Sequence, residues 1–201
     1  SGVYLDTAMS QQGVRNQVLR LSQGVSGDNN QVVVEQWNNT TSGDYNKIWI
    51  DIDGNDNMVD VGQGCKFYSS SSTECSRDTH EDAGHEMEIN ITGDDNWLRG
   101  GQKAGSQNPD HNLTIDINSN NNQVWFTQAG NGEKNLGLTI NNDDNTVSVH
   151  QLDGAHTATI DLDGTAPTNL YMNQTGGPSQ TYTLTQYCVT AGGCSVSVVQ
   201  Q

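Results

Sequence analysis

One short phrase recurs along this chain: an apolar residue, any residue, an apolar residue, any residue, then glutamine. It occurs as Val32/Val34/Gln36, Val59/Val61/Gln63, Val124/Phe126/Gln128, Val147/Val149/Gln151, Leu170/Met172/Gln174 and Val196/Val198/Gln200. A second phrase alternates with it, an aliphatic triplet on every other residue followed by a polar turn and asparagine. Its copies are Ile48/Ile50/Ile52 to Asn57, Met87/Ile89/Ile91 to Asn96, Leu113/Ile115/Ile117 to Asn122 and Leu136/Leu138/Ile140 to Asn145. Alternation with period two is the signature of a strand, and its regular return marks a stack of similar units. The expected fold is all-β, a β-solenoid of stacked strand–turn–strand rungs.

The spacing of the phrases sets the repeat. Gln63, Gln102, Gln128, Gln151 and Gln174 are separated by 39, 26, 23 and 23 residues. The aliphatic strands end at Ile52, Ile91, Ile117, Ile140 and Leu162, with steps of 39, 26, 23 and 22. The two series keep step, so one repeat is one strand of each kind, about 23 residues long. The long step contains Cys65, Cys75 and a polar stretch, read as a disulfide-closed insertion over about 64–84 on one edge. Residues 1–29 read as N-terminal strands serving assembly, and 30–201 as the solenoid. Near the N-terminus Met9/Gln11 and Leu19/Leu21/Gln23 both read as Gln-type strands, as do Leu184/Gln186 and Val198/Gln200 near the C-terminus.

Equivalent strands in such a stack lie about 4.8 Å apart. Each primary amide can then donate to the next and accept from the one before, which satisfies buried amides in cross-β assemblies. The predicted ladder residues are Gln23, Gln36, Gln63, Gln102, Gln128, Gln151, Gln174, Gln186 and Gln200, with Asn57, Asn96, Asn122 and Asn145. Turns such as Asp53-Gly54-Asn55-Asp56 and Asn141-Asn142-Asp143-Asp144 join the strands, where Asn, Asp and Gly tolerate positive φ.

Only 32% of the 201 residues are hydrophobic, and the net charge is −16. Such a composition favours disorder, but a disordered chain has no reason to keep the alternation. A thin solenoid core needs few apolar residues per strand. The acidic balance argues against nucleic acid as a partner, because phosphate contacts need clustered Lys and Arg. It also suggests that acid, salt or divalent cations favour association by screening self-repulsion. No apolar run is long enough to insert into a membrane. No leader precedes Ser1, and the expectation is that one has been removed or left out. The cysteines form two close pairs, Cys65/Cys75 and Cys188/Cys194. Three connectivities are open to four cysteines; local pairing is the expectation, since each pair brackets a short loop. Disulfides imply an oxidising, extracytoplasmic location.

The phrase N-x-φ-x-φ-x-Q, where φ is apolar, resembles the curlin repeat of the secreted bacterial amyloid curli. Its copies here include Asn57 to Gln63, Asn122 to Gln128 and Asn145 to Gln151. The resemblance implies a β-solenoid subunit that is exported, polymerises outside the cell and forms adhesive biofilm-matrix fibres, served by secretion or nucleation accessory proteins. The chain departs from that pattern in its aliphatic alternate strands, its four cysteines and its uneven repeats.

Little in the sequence points to catalysis, and a non-enzyme is expected. The paired carboxylates Asp51/Asp53, Asp94/Asp95, Asp143/Asp144 and Asp161/Asp163 read as solvated turns. The run Asp51 to Asp56 has the oxygen-rich look of a Ca²⁺ loop but lacks the glycine and glutamate of an EF-hand. No resident cofactor is expected, with Ca²⁺ at the acidic turns as the alternative. His80 and His85 flank Glu81 and Asp82, again read as a solvated loop; His111, His150 and His156 read as scattered. Trp49, Trp97 and Trp125 take outward positions, covering the sheet or offering stacking surfaces. A solenoid has two open ends, and its unpaired edges template strand addition. Val3, Leu5, Met9 and Gln11 at one end and Val196 and Val198 at the other are the predicted assembly residues. The expected partner is a second copy of the chain, added head-to-tail. The alternative is a monomeric adhesin or an ice- or carbohydrate-binding module.

Overall fold

A computed structural model describes residues 5–13, 18–19, 22–23, 27–38, 46–66, 76–77, 84–107 and 109–201. The chain winds as a β-solenoid. Eight strands form its main sheet: Leu5–Gly13, Asn30–Asn38, Met58–Gln63, Trp97–Ala104, Gln123–Gly130, Thr146–Leu152, Thr168–Gln174 and Cys194–Gln200. They lie side by side in chain order, and every pair is parallel. These are the Gln-type strands. The register runs Gln11, Gln36, Gln63, Gln102, Gln128, Gln151, Gln174, Gln200 without a slip. A slip of one residue would turn every valine to solvent, so burial and the amide column demand the same register. The step is 23 residues for two neighbouring pairs, 25 to 27 for four others, and 39 across the insertion.

The second phrase lines the opposite face. Lys134–Asn135, His156–Gly164 and Gln180–Cys188 form a three-stranded parallel sheet. Lys47–Ile48 and Asp51–Ile52 pair with Val18–Leu19 and Ser22–Gln23. The aliphatic triplets of 87–91 and 113–117, predicted as strands, bury their side chains as expected but are not regular strands. Positive φ at Glu88, Ile91, Asp116 and Ile117 turns their peptide planes out of the ladder direction. For β-branched isoleucine this is an uncommon conformation.

Two terminal assignments are corrected by the register. Gln23 pairs with Ile52 and Gln186 with Leu162, so both sit on the aliphatic face and outside the Gln column. Each end is therefore an ordinary coil, one strand of each kind, and not two successive Gln-type strands. The insertion opens with an antiparallel pair, Cys65–Lys66 with Ser76–Arg77, and Cys65–Lys66 lies against Trp97–Ala104. Val3 and Cys75 lie outside the described residues, and with Cys75 the proposed Cys65–Cys75 bond.

The core is a single file of inward side chains from both faces, Val32 through Met172, most of them wholly buried. Gly100 breaks the apolar file between Val61 and Phe126. The ring of Phe126 occupies the space that a side chain at 100 would need. Gly100→Val should therefore cost about 1–3 kcal/mol by overpacking. Adding Phe126→Val should recover most of that loss in urea denaturation. A double variant no more stable than Gly100→Val would refute this volume exchange.

Candidate functional site

The features that set this solenoid apart are its side-chain ladders and the end at which they stop. In the Gln column each Nε2 donates to the Oε1 of the next coil: Gln36 to Gln63 (3.1 Å), Gln63 to Gln102 (2.9 Å), Gln102 to Gln128 (2.9 Å), Gln128 to Gln151 (2.8 Å), Gln151 to Gln174 (2.7 Å) and Gln174 to Gln200 (2.9 Å). Inside the stack these amides are buried, and several Nε2 groups also reach a carbonyl of the opposite face, such as Lys47 and Asn135. The column thus ties the two walls together as well as the coils.

The Asn column runs the other way. Asn57 donates its backbone N–H and its Nδ2 to Asn30 Oδ1, at 2.9 and 3.0 Å. Asn96, Asn122 and Asn145 repeat this twofold grip on the coil before. Asn30, absent from the predicted set, begins the column. Thr168 ends it, donating only its N–H to Asn145. The asparagine holds the corner where the chain turns from the aliphatic face into the Gln strand.

The acidic turns stack as well. Asp28, Asn55, Asp94, Asn120 and Asp143 form a column in which acid and amide alternate. Asn55 donates N–H and Nδ2 to Asp94, and Asn120 does so to Asp143. Alternation keeps like charges two rungs, about 10 Å, apart. Beside it Asn29 donates to Asp56 and Asn121 to Asp144. The turn carboxylates act as acceptors in the stack. Among the described residues no group of three or more His, Cys, Asp or Glu is placed to hold a metal ion.

His111 and His156, read as scattered, and His85, read as part of a solvated loop but buried, are collected in one place. Asn46, His85, His111, Lys134, His156 and Gln180 each stand two residues before an inward triplet. Hydrogen bonds and strand register stack them in one column. That fixed offset was a signal available in the sequence. His85 and His111 are buried with their rings stacked at 4.8 Å, and the His111 N–H donates to His85 Nδ1. Burial pushes His111 well below the ordinary histidine range, helped by the charges of His85 and Lys134. Burial also lowers His156, and it pushes Lys134 down to about 8 against the pull of Asp153. His80 lies outside the described residues. His150 faces outward, as expected, and packs edge-on against Trp125 at 4.2 Å. Trp49, Trp97 and Trp125 are half-buried on the outward side of the coil walls. Asp60 and Arg99 also face outward, yet both are nearly buried and form an ion pair.

The two ends of the main sheet are Leu5–Gly13, which carries the predicted Leu5, Met9 and Gln11, and Cys194–Gln200. The inward residues of the last coil, Tyr182, Leu184, Val196 and Val198, are only partly buried. Their register neighbours Ala158, Ile160, Leu170 and Met172 are at most 1% exposed. The apolar file thus runs into the last coil, which no described residue covers on its outer side. Gln200 accepts from Gln174, and among the described residues its own Nε2 has no acceptor, so there the ladder ends on a free donor. Residues 164–201 contain no Asp, Glu, Lys, Arg or His, and the charged residues of 1–27 are only Asp6, Arg15 and Arg20. The charge therefore lies on the middle coils. The Cys188–Cys194 disulfide is formed and joins the two strands of this last coil. Comparison with protein-family models, with curated proteins and with solved structures gave no match.

Proposed function

We propose that this chain is the structural subunit of an extracellular fibre, growing by addition of one solenoid to the end of another. The observation that carries the reading is the uncovered C-terminal coil: half-buried apolar side chains, a free amide donor and no charge. Natural edge strands are normally protected by lysine, proline or a covering element. Here Cys194–Gln200 and Gln180–Cys188 have none of the charged residues that would repel an incoming strand. The strongly acidic middle coils keep the sides of neighbouring filaments apart, so charge favours growth along the axis. An end-to-end contact of unlike ends does not close and gives a filament. The likeness of the Asn-to-Gln phrase to curlin repeats supports the same reading, as does a disulfide suited to an oxidising compartment.

Electron microscopy of the purified chain should show long unbranched filaments, with a cross-β reflection near 4.8 Å along the axis. Deleting residues 1–11 or 194–201 should abolish filaments while leaving soluble monomers. Normal fibres from both truncations would refute strand addition at the ends. A second reading, a monomeric binding module, is favoured by one surface: Thr157, Thr159, Thr181 and Thr183 stand exposed and in register on the aliphatic face. Monomers that persist at high concentration would turn attention to it.

A further inference from the structure

Four successive inner corners, at Asn57, Asn96, Asn122 and Asn145, are each held by an asparagine that grips the coil before it. The column runs Asn30, Asn57, Asn96, Asn122, Asn145 and then loses its amide at Thr168, whose Oγ1 has no hydrogen-bond partner. Cys194 is next in register after Thr168. The position that would carry the next amide carries a disulfide to Cys188, six residues away. Cys188 closes the last aliphatic strand and Cys194 opens the last Gln strand, so the bond spans the last corner. Both strands it joins are sheet edges, paired on one side only. This coil, supported by a neighbour on one side only, has a covalent corner.

We infer that the Cys188–Cys194 disulfide is a redox lock on the growing end, holding the two edge strands in the register that the next subunit needs. This rests on the fibre reading and adds its regulation. Cys188 is wholly buried and Cys194 half-buried, so an external dithiol reaches the sulfur of Cys194. Its thiolate attacks Cys194 Sγ and Cys188 departs as thiolate. The second thiol of the reagent then displaces Cys194. Two electrons and two protons pass to the protein, which ends with two thiols, while the reagent leaves as a cyclic disulfide. The opened corner has no amide to hold it, and the template frays. Growth is thereby confined to an oxidising compartment.

The test uses the full chain with Cys65→Ser and Cys75→Ser, so that the reductant meets only this bond. Hydrogen exchange is followed on the monomer, and growth from preformed fibre seeds is imaged, with and without dithiothreitol. The same chain with Cys188→Ser/Cys194→Ser added, which then holds no cysteine, is the non-reducible comparison. Reduction should remove protection from 180–188 and 194–200 and leave 123–152 protected. Addition at one fibre end should slow at least tenfold, and reoxidation should restore it. Equal growth rates with and without the bond would overturn the lock, as would unchanged protection of the last coil. If the oxidised chain makes no fibres at all, the fibre reading fails and the gating with it. Exchange would then still decide whether the bond orders the last coil.

Discussion

Asn122→Asp should be among the most damaging single substitutions in the chain, although it alters one atom of a wholly buried side chain. Asn122 Nδ2 donates to Asn96 Oδ1 at 3.1 Å, to Ser119 Oγ at 2.9 Å and to the Asn120 carbonyl at 3.0 Å. A carboxylate there replaces the donor by a second acceptor, facing those oxygens in a wholly buried site. Asn122→Ala instead removes the Oδ1 that accepts from Asn145 N–H and Nδ2. It strands a backbone donor and leaves a small void, a loss of about 3 kcal/mol. The aspartate adds a buried, unpaired charge and should cost about 4–5 kcal/mol. Urea denaturation followed by circular dichroism would rank the two. An aspartate variant equal to or more stable than the alanine variant would mean that the column is not a hydrogen-bonded ladder but a row of tolerated polar residues.

The ladder prediction rests on residues that were legible from spacing alone. Val and Gln at fixed phase specify the inward side of a strand, and their return at a constant interval specifies which strands are neighbours. Hence Gln36 through Gln200 and Asn57 through Asn145 could be placed in register before any coordinate was considered. Gln23 and Gln186 went astray because an apolar residue two positions before glutamine does not say which wall the strand belongs to. Only the pairing of Gln23 with Ile52 and of Gln186 with Leu162 decides that. The segments 87–91 and 113–117 show a similar limit. Alternation reports where side chains point, and positive φ at Ile91 and Ile117 breaks the backbone ladder without disturbing it. The basic column was missed for the opposite reason. Asn46, His85, His111, Lys134, His156 and Gln180 are not of one residue type, and their common offset from the following triplet is visible only when the triplets are aligned. The uncharged last coil was readable in the sequence too. Its meaning depends on knowing that this segment is an edge.

The same column predicts that mild acid weakens the solenoid, against the expectation that acid favours association by reducing self-repulsion. His111 and His156 are both lowered below the ordinary histidine value by burial. Below about pH 6.5 the unfolded chain therefore binds protons that the folded chain refuses. Stability must then fall as pH drops through 6.5, and the loss is complete only below the lowered folded values. Lys134, at about 8, stays charged throughout this window and adds repulsion. Asp153 is the carboxylate that faces Lys134 and His156 and opposes it; Asp110 and Lys103 contribute carbonyls to His111. Ordinary carboxylates titrate near pH 4, so relief of acidic repulsion begins below the window in which the unfolded chain's histidines take up protons. Between pH 7 and pH 5 the chain should lose about 2 kcal/mol of stability, and its rate of fibre growth should fall with it. His111→Gln/His156→Gln should flatten that dependence, since Asn46 and Gln180 already place amides in the column. Denaturation midpoints of both chains at pH 7, 6 and 5 measure it. A wild-type chain as stable at pH 5 as at pH 7, or a double variant with an equally steep loss, would show that the column does not set the acid limit.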